Sequence, residues 1–138
     1  MILLSIKKRC DFLKLSNSKI RFHSSSLLVL AGKTPDQYLL NPHSNKIDDF
    51  CRFGLTVTKK IGNAVTRNKA KRRLRNIMTA INREEKLLQN QYDYSIIAKH
   101  KISDADFDKI SQDLKFCLKH IKRIIKENDN AKKQSKEK

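Results

Sequence analysis

The chain has 138 residues, room for one domain at the usual roughly 100–200 residues each. Its 31 Lys and Arg against 14 Asp and Glu give a formal net charge of +17, which points to a polyanionic partner. A membrane span needs roughly 20 consecutive apolar residues, whereas the longest apolar runs here are Ile2–Leu4 and Leu27–Ala31, and three widely spaced cysteines (Cys10, Cys51, Cys117) make no disulfide framework. The expectation is a reduced, cytoplasmic protein that meets no membrane.

In chain order, Met1–Ile6 is apolar with Lys7, Lys8 and Arg9 behind it, the reverse of a secretory signal, so no targeting segment is read there. Ile6–Leu15 fits a short helix with Phe12, Leu13 and Leu15 on its apolar side. Asn17–Ser26 reads as a turn or weak edge strand, and Leu27–Ala31 as a strand ended by Gly32. Thr34–Asp49 holds both prolines and reads as an unusually long loop. Phe53–Thr58 alternates as a half-buried strand, with Phe53, Leu55 and Val57 on one face and Thr56 and Thr58 on the other.

From Gly62 to about Gln89 the spacing of Ala70, Leu74, Ile77, Met78 and Ile81 predicts one long amphipathic helix. Tyr92–Ala98 reads as a strand with Tyr92, Tyr94 and Ile96 on one side. Ser103 fits the N-cap of a last helix, with Asp106 as its capping partner and Phe107, Ile110, Leu114, Cys117, Leu118, Ile121 and Ile125 as its stripe. Beyond about Glu127 the composition predicts a disordered basic tail. The sum is a single α+β domain over residues 1–126, a small central sheet packed against helices, with 127–138 as the tail.

Self-contained catalysis finds no support in the residues. Asp104, Asp106 and Asp108 sit where a first helical turn favours negative charge, and Glu84 and Glu85 read as exposed partners of Arg83 and Lys86. His23, His43, His100 and His120 lack zinc-ligand spacing, and no P-loop, G-x-S-x-G or G-x-G-x-x-G occurs. No catalytic residue and no metal site is therefore assigned to the chain.

The charge concentrates between Lys59 and Arg75, with eight basic residues (Lys59, Lys60, Arg67, Lys69, Lys71, Arg72, Arg73, Arg75) and no acid. Such neighbours repel one another on a helix and, at its start, oppose the macrodipole, so the arrangement costs stability unless an anion compensates. A helix N-terminus also offers free amides to a phosphate. Asn68, Arg72, Arg75 and Thr79 fall on one face, with Lys71 at its border and Lys69 and Arg73 on the other flank. That mixture of amide, guanidinium and hydroxyl suits phosphate oxygens and 2′-hydroxyls. Nucleic-acid binding is the better reading than a merely solvated face.

The run Phe53–Arg75, FGLTVTKKIGNAVTRNKAKRRLR, resembles the signature of the bacterial ribonuclease P protein family: a strand ending in Lys-Lys, then G-N-A-V, then Arg-Asn-Arg-x-x-Lys-Arg-x-x-Arg. Lys7–Phe12, Tyr92–Lys99 and Phe107–Leu118 are similar to the family's first helix, later strand and closing helix. The resemblance implies a ribonuclease P protein-like fold with a left-handed β-α-β crossover, where sequence alone predicts the common right-handed one. It implies a protein subunit that has ribonuclease P RNA as its cofactor and partner and precursor tRNA as the shared substrate. The RNA would hold the Mg2+ and perform endonucleolytic removal of the 5′ leader. By matching position, Arg67, Asn68, Lys69, Lys71, Arg72 and Arg75, with Lys59 and Lys60 beside them, would face RNA. The leader would lie in a cleft between the basic helix and the sheet, where Phe12 would stack on a base; Phe12 also has a reading as a core anchor of the first helix.

Three positions depart from the family pattern. Lys69 replaces an arginine and loses its planar fork, while Ser16 and Leu30 stand where aromatic residues are usual. The alternative function is a ribosomal or other structural RNA-binding protein, which has no need of the Lys59–Arg75 spacing. A DNA-binding module is disfavoured, since neither helix–turn–helix spacing nor zinc ligands are present.

Overall fold

A computed structural model describes residues 1–39 and 49–136. The elements are β1 (Ile2–Ser5), α1 (Arg9–Ser16), β2 (Ile20–His23), β3 (Leu27–Lys33), β4 (Phe50–Thr56), α2 (Ala64–Glu84), β5 (Tyr92–Ala98) and α3 (Phe107–Lys136). Short 3-10 turns occupy Asp36–Tyr38, Lys59–Ile61 and His100–Asp104. The strands form one mixed sheet in the order β1-β4-β5-β3-β2. β4 and β5 are parallel neighbours joined through α2, β1 runs parallel to β4, and β2 and β3 are antiparallel additions.

Two helices cover one face of the sheet. Ala70, Leu74, Ile77, Met78 and Ile81 of α2 are all buried, as the periodicity predicts, and they share a core with Phe53, Tyr92, Tyr94 and Ile96 of the sheet. The α3 stripe from Ile110 to Ile125 is buried in the same core, whereas Phe107 remains exposed. α1 lies on the opposite face, tucking Leu15 against Gly32.

Several boundaries differ from the sequence reading. β1 had no counterpart in it: four residues are too few to show a period, and only pairing with β4 makes them a strand. β3 runs through Gly32 to Lys33, and β4 starts at Phe50 because β5 and β1 flank it on both sides. Asp106, not Ser103, caps α3, its carboxylate accepting from the Lys109 amide at 2.8 Å. Ser103 instead lies in the preceding 3-10 turn. Glu85 pairs with Lys115 of α3 at 2.9 Å rather than with Lys86. α3 does not stop near Ile125; with no Gly or Pro in the way, the helix nucleated by packing propagates to Lys136, where a disordered tail was expected. Most of the Thr34–Asp49 loop reading falls on residues 40–48, outside the described residues.

Between β3 and α3, the buried Asp113 carboxylate accepts from Ser26 and Ser25 and pairs with Lys109 at 3.2 Å. Burial works to raise its pKa, but the hydrogen bonds from Ser26 and Lys109, together with the Lys109 charge, outweigh it and hold the pKa below its ordinary value. A depressed folded-state pKa contributes stability that is present above the unfolded value, about 3.9, and is lost as pH falls through the folded value. In urea unfolding, the gap between the native chain and Asp113→Asn should be widest near neutral pH and should close below about pH 4. A gap independent of pH would contradict the assignment.

Candidate nucleic-acid interface

The turn that delivers the basic helix depends on one glycine. Gly62 adopts φ +154°, and an added Cβ would sit 3.1 Å from the Thr66 side chain. Asn63 then caps α2, its side-chain oxygen accepting from the Thr66 amide at 2.9 Å. No acid occupies the first turn of α2, so nothing there offsets the cations against the macrodipole.

With Leu74 and its stripe turned to the sheet, Asn68, Arg72, Arg75 and Thr79 are left on solvent, as their spacing predicts. Lys71 and Arg67 are half-buried at the border of that face, and Lys59 and Lys60 are exposed on the 3-10 turn before it. Lys69 turns to the other flank, where with Arg73, Ile102 and Ser103 it lines a groove of about 290 Å³. None of Lys59, Lys60, Arg67, Lys69, Lys71, Arg72, Arg73 or Arg75 makes an ion pair with a described residue. The Nε of Arg67 is buried and lacks an acceptor among the described residues. Eight cations without counter-ions among the described residues are held together on one helix and its lead-in turn, an arrangement that an external polyanion would stabilise.

The other face of the sheet is built around a buried arginine. Arg52 of β4 donates through Nε to Asp93 of β5 at 2.8 Å and through a second nitrogen to the other carboxylate oxygen. Its third nitrogen lies 3.6 Å from Asp11 of α1. Tyr38 stacks on the guanidinium at 4.0 Å and donates its hydroxyl to Asp11 at 2.8 Å, while Thr34 donates to Asp93 at 2.9 Å. Burial opposes the charge on Arg52, but the hydrogen bonds and charge of Asp93, then Asp11 and Tyr38, outweigh it and raise the arginine pKa. This network bolts α1 to the sheet, and the sequence reading missed it. Its one visible signal is polar: Arg52 and Asp93 each interrupt an otherwise apolar strand, and the two positions are register partners.

Next to Asp11, the half-buried Phe12 lays its ring over Gly54. An added Cβ at Gly54 would lie 2.3 Å from the ring, so only glycine lets the ring approach so closely. Gly54→Ala should lift the ring off the sheet and cost about 1–3 kcal/mol by overpacking, read as a lower urea midpoint. An unchanged midpoint would mean the ring does not rest there. The register then puts Thr56, Ile97 and Leu28 in one row beyond Gly54, Ser95 and Leu30, on the α1 face and half-buried. That row ends three residues before Lys59.

One expectation is corrected by this geometry. The space between α2 and the sheet is solid core, so it holds no cleft for a polynucleotide. Phe12 and the open strip lie on the opposite face, reached around the Val57–Ile61 turn. The two buried thiols offer little alternative chemistry: burial, then the Asp93 charge, pushes Cys51 up to about 12, and burial raises Cys117. Among the described residues, no group of three or more His, Cys, Asp or Glu side chains could hold a metal, and no helix is long and apolar enough to cross a membrane.

A family profile described as Ribonuclease P matches residues 3–122. The "Ribonuclease P protein component" of Gluconacetobacter diazotrophicus is 34% identical over 114 residues, covering 83% of this chain and 87% of that protein. The protein of the same description from Geotalea uraniireducens is 29% identical with the same coverage. Among solved structures, the RNase P protein of Staphylococcus aureus superposes with a TM-score of 0.65 at 26% identity, covering 83% of this chain and 92% of that one. The RNase P protein of Thermotoga maritima gives 0.63 at 27% identity, covering 83% and 94%.

Proposed function

This chain belongs to the ribonuclease P protein family, whose known role is tRNA processing, and from that premise we propose how its two surfaces divide the work. The outer face of α2, with Lys59 and Lys60, grips ribonuclease P RNA. Arg72 and Arg75 clamp phosphate oxygens, Asn68 adds a donor beside them, and the half-buried Lys71 and Arg67 add charge at the border of that face. Lys69 reaches RNA along the groove on the other flank. The strip beside Phe12 holds the unpaired 5′ leader of precursor tRNA, with the aromatic ring against a base and Lys59 and Lys60 beside the backbone.

In this reading the chain is the protein half of a cytoplasmic endoribonuclease. The RNA holds the Mg2+ and cleaves the leader; the protein lowers the repulsion between two polyanions and fixes where the leader lies. The reading rests most on one observation: the family's signature segment carries a full row of cations with no counter-ion among the described residues. The test is reconstitution. Added to ribonuclease P RNA at low magnesium, the chain should stimulate leader removal from precursor tRNA. No stimulation under conditions where the two bind would refute it.

A further inference from the structure

At the far edge of the sheet, where α3 crosses β2, aromatic rings gather that the surfaces above do not use. Phe22 of β2 stacks on His120 of α3, centroids 4.1 Å apart and planes 6° from parallel. Phe116 meets both rings edge-on, at 5.5 Å from Phe22 and 4.6 Å from His120. Phe116 is nevertheless 52% exposed, an apolar ring braced by two others yet open to water.

Its surroundings are cationic. Helical spacing puts Lys119 and Arg123 at i+3 and i+7 from Phe116, on the same exposed ridge. Neither makes an ion pair or hydrogen bond with a described residue. The nearby Asp113 is buried and engaged by Ser26 and Lys109, which leaves Glu127, one turn beyond Arg123, as the ridge's exposed acid. A second copy of this chain would bring the same charge, a formal +17, against the ridge. Unpaired RNA brings what the surface lacks: a π-face for the ring and phosphates for the cations.

We propose that Phe116 and His120, flanked by Lys119 and Arg123, form a second binding platform for single-stranded RNA, separate from the outer face of α2. The separation follows from the topology. The C-terminal half of α2 reaches β1, with Asn82 donating to the Met1 carbonyl at 2.8 Å, whereas the platform sits on β2 at the other edge of the sheet. A strand held there meets side chains of β2 and α3 that the α2 clamp does not include.

The chain has no tryptophan and three tyrosines, so Phe116→Trp places on the platform the one indole, which is excited selectively over the tyrosines. Titrating the full chain with oligouridine of about 12 nucleotides, within the usual span of single-strand sites, should quench its emission saturably. The quenching should persist when Arg72→Ala and Arg75→Ala are added, which separates this site from the α2 clamp. Phe116→Leu, which keeps an apolar side chain over Phe22, should weaken labelled oligouridine binding in that same background about tenfold, the size of one lost base stack. Binding without quenching, quenching that vanishes with the two arginines, or unchanged affinity for Phe116→Leu would each overturn the proposal. So would an emission change that tracks protein concentration without RNA, which would assign the patch to a second copy of the chain.

Discussion

Replacing Arg72 and Arg75 together by alanine should weaken binding to ribonuclease P RNA by about two orders of magnitude, since a charge-assisted hydrogen bond contributes roughly 1.5–3 kcal/mol and each 1.4 kcal/mol is tenfold. The same pair should reduce the slope of log K against log salt by roughly 1.5, as two phosphate contacts each release counter-ions. Both residues are exposed and lack ion-pair partners among the described residues, so the urea midpoint should barely move. Lys86→Ala, exposed but beyond the C-terminus of α2, is the control and should leave affinity within about twofold. Equal losses in the control and the pair would mean that total charge, rather than the α2 face, governs binding.

The second large effect is on stability. Arg52→Ala should destabilise the fold by about 3–5 kcal/mol in urea unfolding, because removing one partner leaves buried carboxylates uncompensated. Here two are exposed to that fate, Asp93 and Asp11, and both are almost wholly inaccessible to solvent. Asp11→Asn, which keeps an acceptor for the Tyr38 hydroxyl, should cost distinctly less. The loss has a functional face as well. With Arg52 gone, α1 loses its tie to the sheet and Phe12 its fixed place over Gly54. Discrimination between precursor and mature tRNA should then fall further than affinity for ribonuclease P RNA does. If Arg52→Ala left stability within 1 kcal/mol, about the size of an exposed ion pair, the network would be a surface pairing and not a bolt.

What the sequence disclosed follows from which forces act locally. The α2 stripe and its opposite cationic face were legible because both follow from one helical period, and burial of Leu74 fixes where Arg72 points. The Tyr92–Ala98 strand was legible from its alternation and the α3 stripe from its helical period. By contrast β1 is defined by its partner, since Ile2–Ser5 means nothing without Phe50–Phe53 alongside. The Arg52 network was hidden because its members come from α1, two strands and the Thr34–Tyr38 segment, and no window of sequence holds them together. The space between α2 and the sheet, expected to hold a cleft, is filled by core for a related reason: which face of a sheet a helix covers is a matter of topology. α2 and α3 share one face of the sheet, and α1 lies on the other.

The most direct measurement of the central claim is lysine acetylation of the chain alone and in complex with ribonuclease P RNA, read residue by residue. Lys59, Lys60, Lys69 and Lys71 should be the most strongly protected by the RNA, and Lys86 and Lys101 should react as in the free chain. Protection spread evenly over all lysines, or centred away from α2 and its lead-in turn, would contradict the account.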